Sequence, residues 1–186
     1  MSETQFIILM ISIFTLFEVF IMYKYLAAKK YGKIIENAAI YIVIVFFLCL
    51  EGKLRLQIQD FVIVFFIITV LGHTFVGKYF DIYHKSKTYD RYLHLFGSFT
   101  FSLLAYSILA SVFKPISSPA VYVAIYVAAL GISIGVIFEL LEFAIDKAAK
   151  KEKYQKNQHG LADTNFDMLF NGIGAVIAAL VSVYLF

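Results

Sequence analysis

Six long apolar runs dominate this 186-residue sequence and limit what it can fold into. Each run has about 17 to 28 residues, and a helix of that length crosses roughly 30 Å of hydrocarbon at 1.5 Å per residue. Because 61% of the residues are hydrophobic and 16% are charged, one soluble core of this size could not bury them all. The sequence therefore predicts an all-α, polytopic membrane protein, a single domain that is a bundle of six transmembrane helices. The predicted spans are residues 5–28, 34–50, 61–80, 89–113, 119–145 and 164–186.

Cysteine content and net charge exclude several other classes of protein. The one cysteine, Cys49, rules out an intramolecular disulfide and a cysteine-based metal cluster. The formal net charge of +3 does not indicate nucleic-acid binding, because the positions of the charges matter more than their sum here. The first run has no basic residue before it and is too long for a signal peptide, so we expect it to remain as a membrane anchor.

The basic residues are distributed unevenly between alternate connections. Of the 16 Lys and Arg residues, thirteen lie in or beside the first, third and fifth connections. Since cytoplasmic loops are enriched in basic residues, we expect these connections in the cytoplasm and both termini outside, in the cell membrane. The other three basic residues are Lys53, Arg55 and Lys114.

Polar residues collect in the cytoplasmic half of this predicted bundle. Five of the six spans carry them at similar depth, whereas the outer half has almost none. Ionisable groups inside a membrane are costly and usually serve a function, so this asymmetry predicts a polar site that faces the cytoplasm. The residues are Glu18 and His73 in the first and third spans, Asp90, Arg91 and His94 in the fourth, Glu139 and Glu142 in the fifth, and Asp163, Asp167 and Asn171 in the sixth.

Helical spacing predicts which faces meet. Glu139 and Glu142 continue a stripe that includes Gly131 and Gly135 on the fifth span. Small residues let helices approach closely in a membrane, so we expect the polar ends of such stripes to face each other. On the sixth span the matching stripe is Asp167, Asn171, Gly174 and Ala178, and on the fourth it is Asp90, His94, Gly97 and Ser98.

Simpler interpretations stay open for some of these residues. The glycines can serve packing alone. Asp163 or Thr164 can cap the sixth helix, with Asp167 completing a capping box. Glu18 and His73 can be neutral or paired for structural reasons.

Three segments together resemble the YjdF-like bacterial inner-membrane proteins and the broader VanZ-like group. They are Asp90-Arg91-Tyr92-Leu93-His94, Gly135-Val-Ile-Phe-Glu139-Leu-Leu-Glu142-Phe143 and Asp163-Thr-Asn-Phe-Asp167-Met-Leu-Phe-Asn171-Gly-Ile-Gly174. The resemblance implies a multi-helix membrane protein whose activity is largely unassigned, with VanZ-like relatives linked to glycopeptide-antibiotic resistance and the cell envelope. His159-Gly160 stands where VanZ-like proteins carry an arginine, so anion binding by that loop is not carried over.

The residue types favour a divalent cation, Mg, Mn or Zn, that holds a phosphorylated lipid or polyprenyl head group for hydrolysis or transfer. Membrane lipids are then the expected partners, and nucleic acid is not. The alternatives are a proton- or cation-coupled transporter and a structural network that only holds the bundle together. The expected roles are catalytic for His94, Glu139 and Glu142, ligand-binding for Asp90, Arg91, Asn171, His73 and Glu18, and metal-binding for His94, Glu142, Asp163 and Asp167.

Overall fold

A computed structural model of the chain describes residues 2–86, 88–113, 119–148 and 160–186, and in these ranges it is helical without strands. Six of its helices are long and apolar enough to cross a membrane, which confirms the predicted fold class. The elements are α1 (Glu3–Ala27), α2 (Tyr31–Leu54), α3 (Asp60–Leu71), a π-helical segment (Gly72–Tyr79), α4 (Ile82–Lys85), α5 (Tyr89–Phe113), α6 (Ala120–Ala148) and α7 (Leu161–Leu185).

The start of α7 corrects one interpretation of the sequence. The helix begins at Leu161, and Gly160, with a φ of 122°, takes the capping position without any side-chain cap. Asp163 and Thr164 therefore lie inside the first turn and do not cap the helix. Asp167 is consequently in the second turn of the helix. Its side chain is buried inside the bundle.

The third span is less regular than the sequence predicts. After α3 the chain continues as the π-helical segment, in which each backbone N–H donates to the carbonyl five residues earlier. Phe80 N, for example, donates to Phe75 O at 3.1 Å. The ring of Tyr83, on the short helix α4, fills the space where a side chain at Gly77 would lie. Hydrophobicity alone predicts the span but not this change of helix type.

The chain divides into two units, Met1–Lys87 and Thr88–Phe186. In the first, α1 and α2 run antiparallel, since Phe14 stacks on Tyr41 with ring centroids 6.0 Å apart while Gly52, near the other end of α2, faces Ile7. The π-helical segment packs on the same α1 helix, as the edge-to-face contact of Phe17 with Phe75 at 5.1 Å demonstrates.

The second unit consists of α5, α6 and α7, which approach closely at small residues. A Cβ atom added to Gly135 on α6 would lie 2.7 Å from Asn171 Cβ on α7. One added to Gly174 on α7 would meet the backbone carbonyl oxygen of Leu95 on α5. The glycine stripes therefore serve as the helix contacts that the sequence predicts, and they align the polar ends of the three helices.

The outer faces of the long helices are apolar. Leu16, Phe113 and Leu180, for example, expose 73%, 73% and 65% of their surfaces, as residues that contact lipid do. The two short basic or turn stretches at 114–118 and 149–159 lie outside the described residues, as does Lys87. Lys114 and most of the basic fifth connection, both used to predict the topology, fall in these stretches, as does His159 of the comparison with the VanZ-like pattern.

Candidate functional site

Three side chains in the C-terminal unit bring potential metal ligands together. Asp90 and His94 lie one turn apart near the start of α5, and Asp167 lies in the second turn of α7. One ligand atom from each of the three residues falls within 4.8 Å of the other two. Within this group, His94 Nε2 is 3.5 Å from Asp90 Oδ1. The close contact of α5 and α7 at Gly174 holds the two helices at the separation that this arrangement requires.

The separations are suitable for a small divalent cation. Mg, Mn and Zn bind oxygen and nitrogen ligands at about 2.0–2.2 Å, so two ligand atoms of one ion lie up to roughly 4.4 Å apart. The three atoms, which lie within 4.8 Å of one another, exceed that limit by at most about 0.4 Å. Two carboxylates and one imidazole are common ligands of Zn and Mn, and three protein ligands leave coordination positions open for water or a phosphate oxygen.

Asn171 sets the orientation of the imidazole. Its Oδ1 lies 3.3 Å from His94 Nδ1. When Nδ1 carries the proton and donates it to Asn171, the lone pair of His94 is on Nε2, the nitrogen that faces the carboxylates. Asn171 is itself fixed, because its backbone carbonyl accepts a hydrogen bond of 2.8 Å from Ser98 Oγ on α5. The hydrogen bonding thus prepares Nε2 to act as a ligand.

The carboxyl groups of this site crowd together in a buried region. Glu139, which is 4% exposed, places Oε1 3.7 Å from His94 Nε2. Glu142 lies close enough to interact electrostatically with Glu139 and Asp167. Asp167 Oδ1 is buried and has no hydrogen-bond partner among the described residues. Burial of several like charges is unfavourable, and a bound cation would relieve both the repulsion and the unpaired oxygen.

Arg91 brings a positive group to the end of α5 that carries Asp90 and His94. Its guanidinium lies over the ring of Phe166 at 4.1 Å from the centroid. Arg91 follows Asp90 on α5 and Phe166 precedes Asp167 on α7, so the stacked pair joins the same two helices at the same level as Asp90 and Asp167. Arg91 Nε is buried and, within the described ranges, forms no hydrogen bond. A guanidinium next to a cation site is the usual arrangement for binding a phosphate.

The structure groups the predicted metal ligands differently from the sequence. His94 and Asp167 belong to the three-residue group, but Asp90, predicted as a ligand-binding residue, takes the third position. Glu142 and Asp163 are not in that group. Asp163 lies one turn nearer the start of α7 than Asp167 does. Phe166, which supports Arg91, was not predicted, since an exposed aromatic residue carries no distinguishing signal in a membrane helix.

Glu18 and His73 lie in the N-terminal unit, each with partners from its own unit. Glu18 Oε1 and Thr74 Oγ1 form a hydrogen bond of 2.8 Å, and His73 Nδ1 lies 2.7 Å from the Tyr83 hydroxyl. The C-terminal unit by itself assembles the ligand group and the residues that surround it. Thr74 and Tyr83 were not predicted as partners. The sequence pattern around a single hydroxyl residue in an apolar run does not show whether its side chain faces lipid or a buried acid.

The fold and the site together define a multi-pass membrane protein with a carboxylate and imidazole cluster near the ends of three helices. The model of a family described as "Predicted membrane protein (DUF2238)" matches residues 7–186, and the chain belongs to this family. The YjdF-like part of the resemblance agrees with this membership.

An uncharacterised protein of Thermotoga maritima is 33% identical to the chain over 113 residues. The match covers 60% of this chain and 56% of that protein, so the chain spans little more than half the length of its relative. No solved structure matches the chain.

Proposed function

We propose that this protein binds a divalent cation through Asp90, His94 and Asp167 and, through the cation, a phosphorylated lipid or polyprenyl head group. One observation carries the proposal: Asp167, whose buried Oδ1 has no hydrogen-bond partner among the described residues, belongs to a ligand group whose imidazole is oriented by Asn171. Mg, Mn and Zn all fit such a donor set, and the two carboxylates favour the harder ions Mg and Mn.

Arg91 supports a phosphate as the second ligand. A phosphate oxygen on the cation and another on the guanidinium would share one anionic group between two positive ones. The amino-terminal ends of α5 and α7 both lie at this end of the unit, and their helix dipoles also favour an anion there. Because the site is within two turns of these helix ends, a lipid head group can reach it from the membrane surface.

The distribution of basic residues supports a location of this site on the cytoplasmic side of the cell membrane, with both termini outside. The resemblance of three segments to the VanZ-like pattern supports a role in the cell envelope. Both statements are part of the proposal. Labelling of introduced cysteines, described in the Discussion, tests the topology.

Glu139 and Glu142 are the residues that would take part in a reaction of the bound head group. Neither is needed as a ligand of the cation, and Glu139 lies beside His94 Nε2 at 3.7 Å. A carboxylate in this position can accept a proton from water during hydrolysis or transfer of the head group. If the reaction occurs, Glu139→Gln abolishes turnover while cation binding persists.

Cation binding is tested on the purified protein with Mn, Mg and Zn, by thermal stabilisation and by elemental analysis. Asp167→Asn should lower the affinity by at least about 100-fold, since it removes a ligand and even indirect partners of metal ligands contribute 10- to 100-fold. Asp163→Asn is the matched control, because it removes a carboxylate of the same helix one turn away. Equal binding by all three proteins, or binding by none, overturns the proposal.

The head group is tested with nanodiscs that contain either phosphatidic acid or phosphatidylcholine, with and without Mn. We expect Mn-dependent binding of phosphatidic acid that Arg91→Lys weakens, because lysine cannot form the bidentate contact. Cation affinity in neutral lipid should stay unchanged in this variant. Equal binding of both lipids would contradict the head-group part of the proposal.

The two alternative functions, ion-coupled transport and a purely structural network, predict different results with the same purified protein. A coupled transporter would produce pH-dependent or cation flux in proteoliposomes, which a head-group binder does not. A purely structural network would make His94→Gln and Glu142→Gln lose folded protein to the same extent. Normal yield of both variants, with cation binding lost in His94→Gln, supports the proposed site.

A further inference from the structure

The N-terminal unit contains a second group of buried polar residues, one from each of its three candidate membrane spans. Glu18 on α1, Asn37 on α2 and Thr74 in the π-helical segment are 0%, 1% and 0% exposed. Phe14 stacks on Tyr41 in the antiparallel α1–α2 pair. Glu18 is one turn beyond Phe14 and Asn37 one turn before Tyr41, so the register places Glu18 and Asn37 at the same level.

The hydrogen bonds of Glu18 are too few for an ionised carboxylate. Oε1 has one partner, Thr74 Oγ1, and Oε2 is buried without a partner in the part of the chain that the structure describes. Asn37 Nδ2 and Tyr25 OH are buried donors that also lack partners there. A buried carboxylate with one hydrogen bond and no cation is strongly disfavoured, whereas a neutral carboxylic acid is tolerated.

The charged and titratable groups of the neighbouring elements have other partners. On α2, Glu36 pairs with Lys33 at 3.5 Å and also with Lys78 of the π-helical segment. His73 in that segment lies against Tyr83, and Tyr79 stacks edge-on against Tyr25 of α1. Lys33 of α2 and Lys78 of the segment are thus engaged by Glu36, and the neighbour bonded to Glu18 is the hydroxyl of Thr74.

The hydroxyl of Thr74 lies between two oxygen atoms, of Glu18 and of Val70. Its Oγ1 lies 2.8 Å from Glu18 Oε1 and 3.1 Å from the carbonyl oxygen of Val70. A hydroxyl has a single hydrogen and cannot donate fully to both oxygens. Threonine in a helix commonly donates to the carbonyl four residues earlier, which is Val70 O. The hydrogen between Glu18 and Thr74 then comes from the carboxylic acid, and Thr74 Oγ1 accepts it.

From these contacts we propose that Glu18 is a proton-binding site of the N-terminal unit, a function separate from the cation site and independent of it. With the proton bound, Glu18 donates to Thr74 and Thr74 donates to Val70 O. When the proton leaves, the Thr74 hydroxyl turns to the carboxylate and gives up its bond to Val70 O, two residues before the π-helical segment. Proton binding at Glu18 thereby controls the hydrogen bond between the Thr74 hydroxyl and the Val70 carbonyl, close to the point where the helix type changes.

Infrared spectroscopy of the full-length protein in nanodiscs tests this directly, because a protonated carboxyl group has its own carbonyl stretching band. In choline chloride at neutral pH we expect a band that Glu18→Gln removes. Glu36→Gln is the matched control, since Glu36 is ion-paired and ionised, and it should leave the band intact. Transfer to D2O should move the band, because a proton that binds and leaves is exchangeable.

Three results overturn the proposal: a spectrum that Glu18→Gln leaves unchanged, a band that does not move in D2O, and a band that sodium removes, which would make Glu18 a cation ligand. Thr74→Val provides a second test that keeps the carboxyl group, should Glu18→Gln fold poorly. It removes the acceptor of the Glu18 proton, so the band should persist and move to higher frequency. If Thr74→Val leaves the band unaffected, the band belongs to another residue, and this result also overturns the proposal.

Discussion

Replacement of Gly174 by alanine tests whether the close approach of α5 and α7 holds the site together. An added Cβ at Gly174 would lie 3.0 Å from Leu95 C and 3.1 Å from Phe99 N, and closer still to the Leu95 carbonyl oxygen. These are backbone atoms and cannot rotate away. To move Leu95 C from 3.0 Å to an ordinary contact of 3.4 Å, the helices must separate by at least about 0.4 Å.

Gly172→Ala is the control for this change, since a Cβ at Gly172 meets nothing within 4 Å. Both variants gain about 1 kcal/mol of helix propensity. Only Gly174→Ala adds the overpacking cost, typically 1–3 kcal/mol, so it should be less stable than Gly172→Ala by about that amount. It should also weaken cation binding, because Asp90 and His94 belong to α5 whereas Asp167 belongs to α7.

The assay is unfolding of the purified protein by a denaturing detergent, followed by circular dichroism, with cation affinity measured on the same samples. Gly172→Ala should be at least as stable as the unmodified protein. If Gly174→Ala behaves like Gly172→Ala in both measurements, the helix contact does not determine the geometry of the site, and the reasoning is wrong.

Three further outcomes are expected. Asn171→Ala should lower cation affinity by about 10- to 100-fold without removing a ligand, because His94 Nδ1 loses the acceptor that orients it; unchanged affinity would contradict this role. Ser98→Ala should destabilise the protein by about 0.6 kcal/mol, the mean value of an interhelical hydrogen bond in a membrane, in the same unfolding assay. In a Cys49→Ser background, an impermeant maleimide should label Gln59→Cys in intact cells and Lys30→Cys only after permeabilisation, and the reverse pattern would invert the predicted topology.

Much of the fold could be predicted because membrane spans carry strong local signals. The six apolar runs and the helices agree to within four residues, the largest difference being the end of α2 at Leu54 instead of residue 50. The glycine stripes likewise predicted which faces of α6 and α7 meet, since few residues other than small ones allow helices to approach so closely.

Features that depend on a partner from another helix were predicted less well. The interpretation of Asp163 and Thr164 as caps was wrong, because Gly160 allows α7 to begin three residues before Thr164. Membership of Asp90 in the ligand group, rather than of Glu142 or Asp163, depends on the exact rotation of α5 and α7. The π-helical segment and the Glu18–Thr74 hydrogen bond have no periodic pattern in the sequence that would reveal them.

The sequence by itself determined that this chain is a six-helix membrane protein and which helix faces are polar or small. Length, hydropathy and a period of 3.6 residues are properties of one helix at a time, so they can be read without knowing the neighbours. Only the tertiary structure decided which atoms meet: His94 with Asn171, Asp90 with Asp167, and Glu18 with Thr74. Those pairings depend on differences of an ångström in the position and rotation of packed helices, to which the pattern of residue types is insensitive.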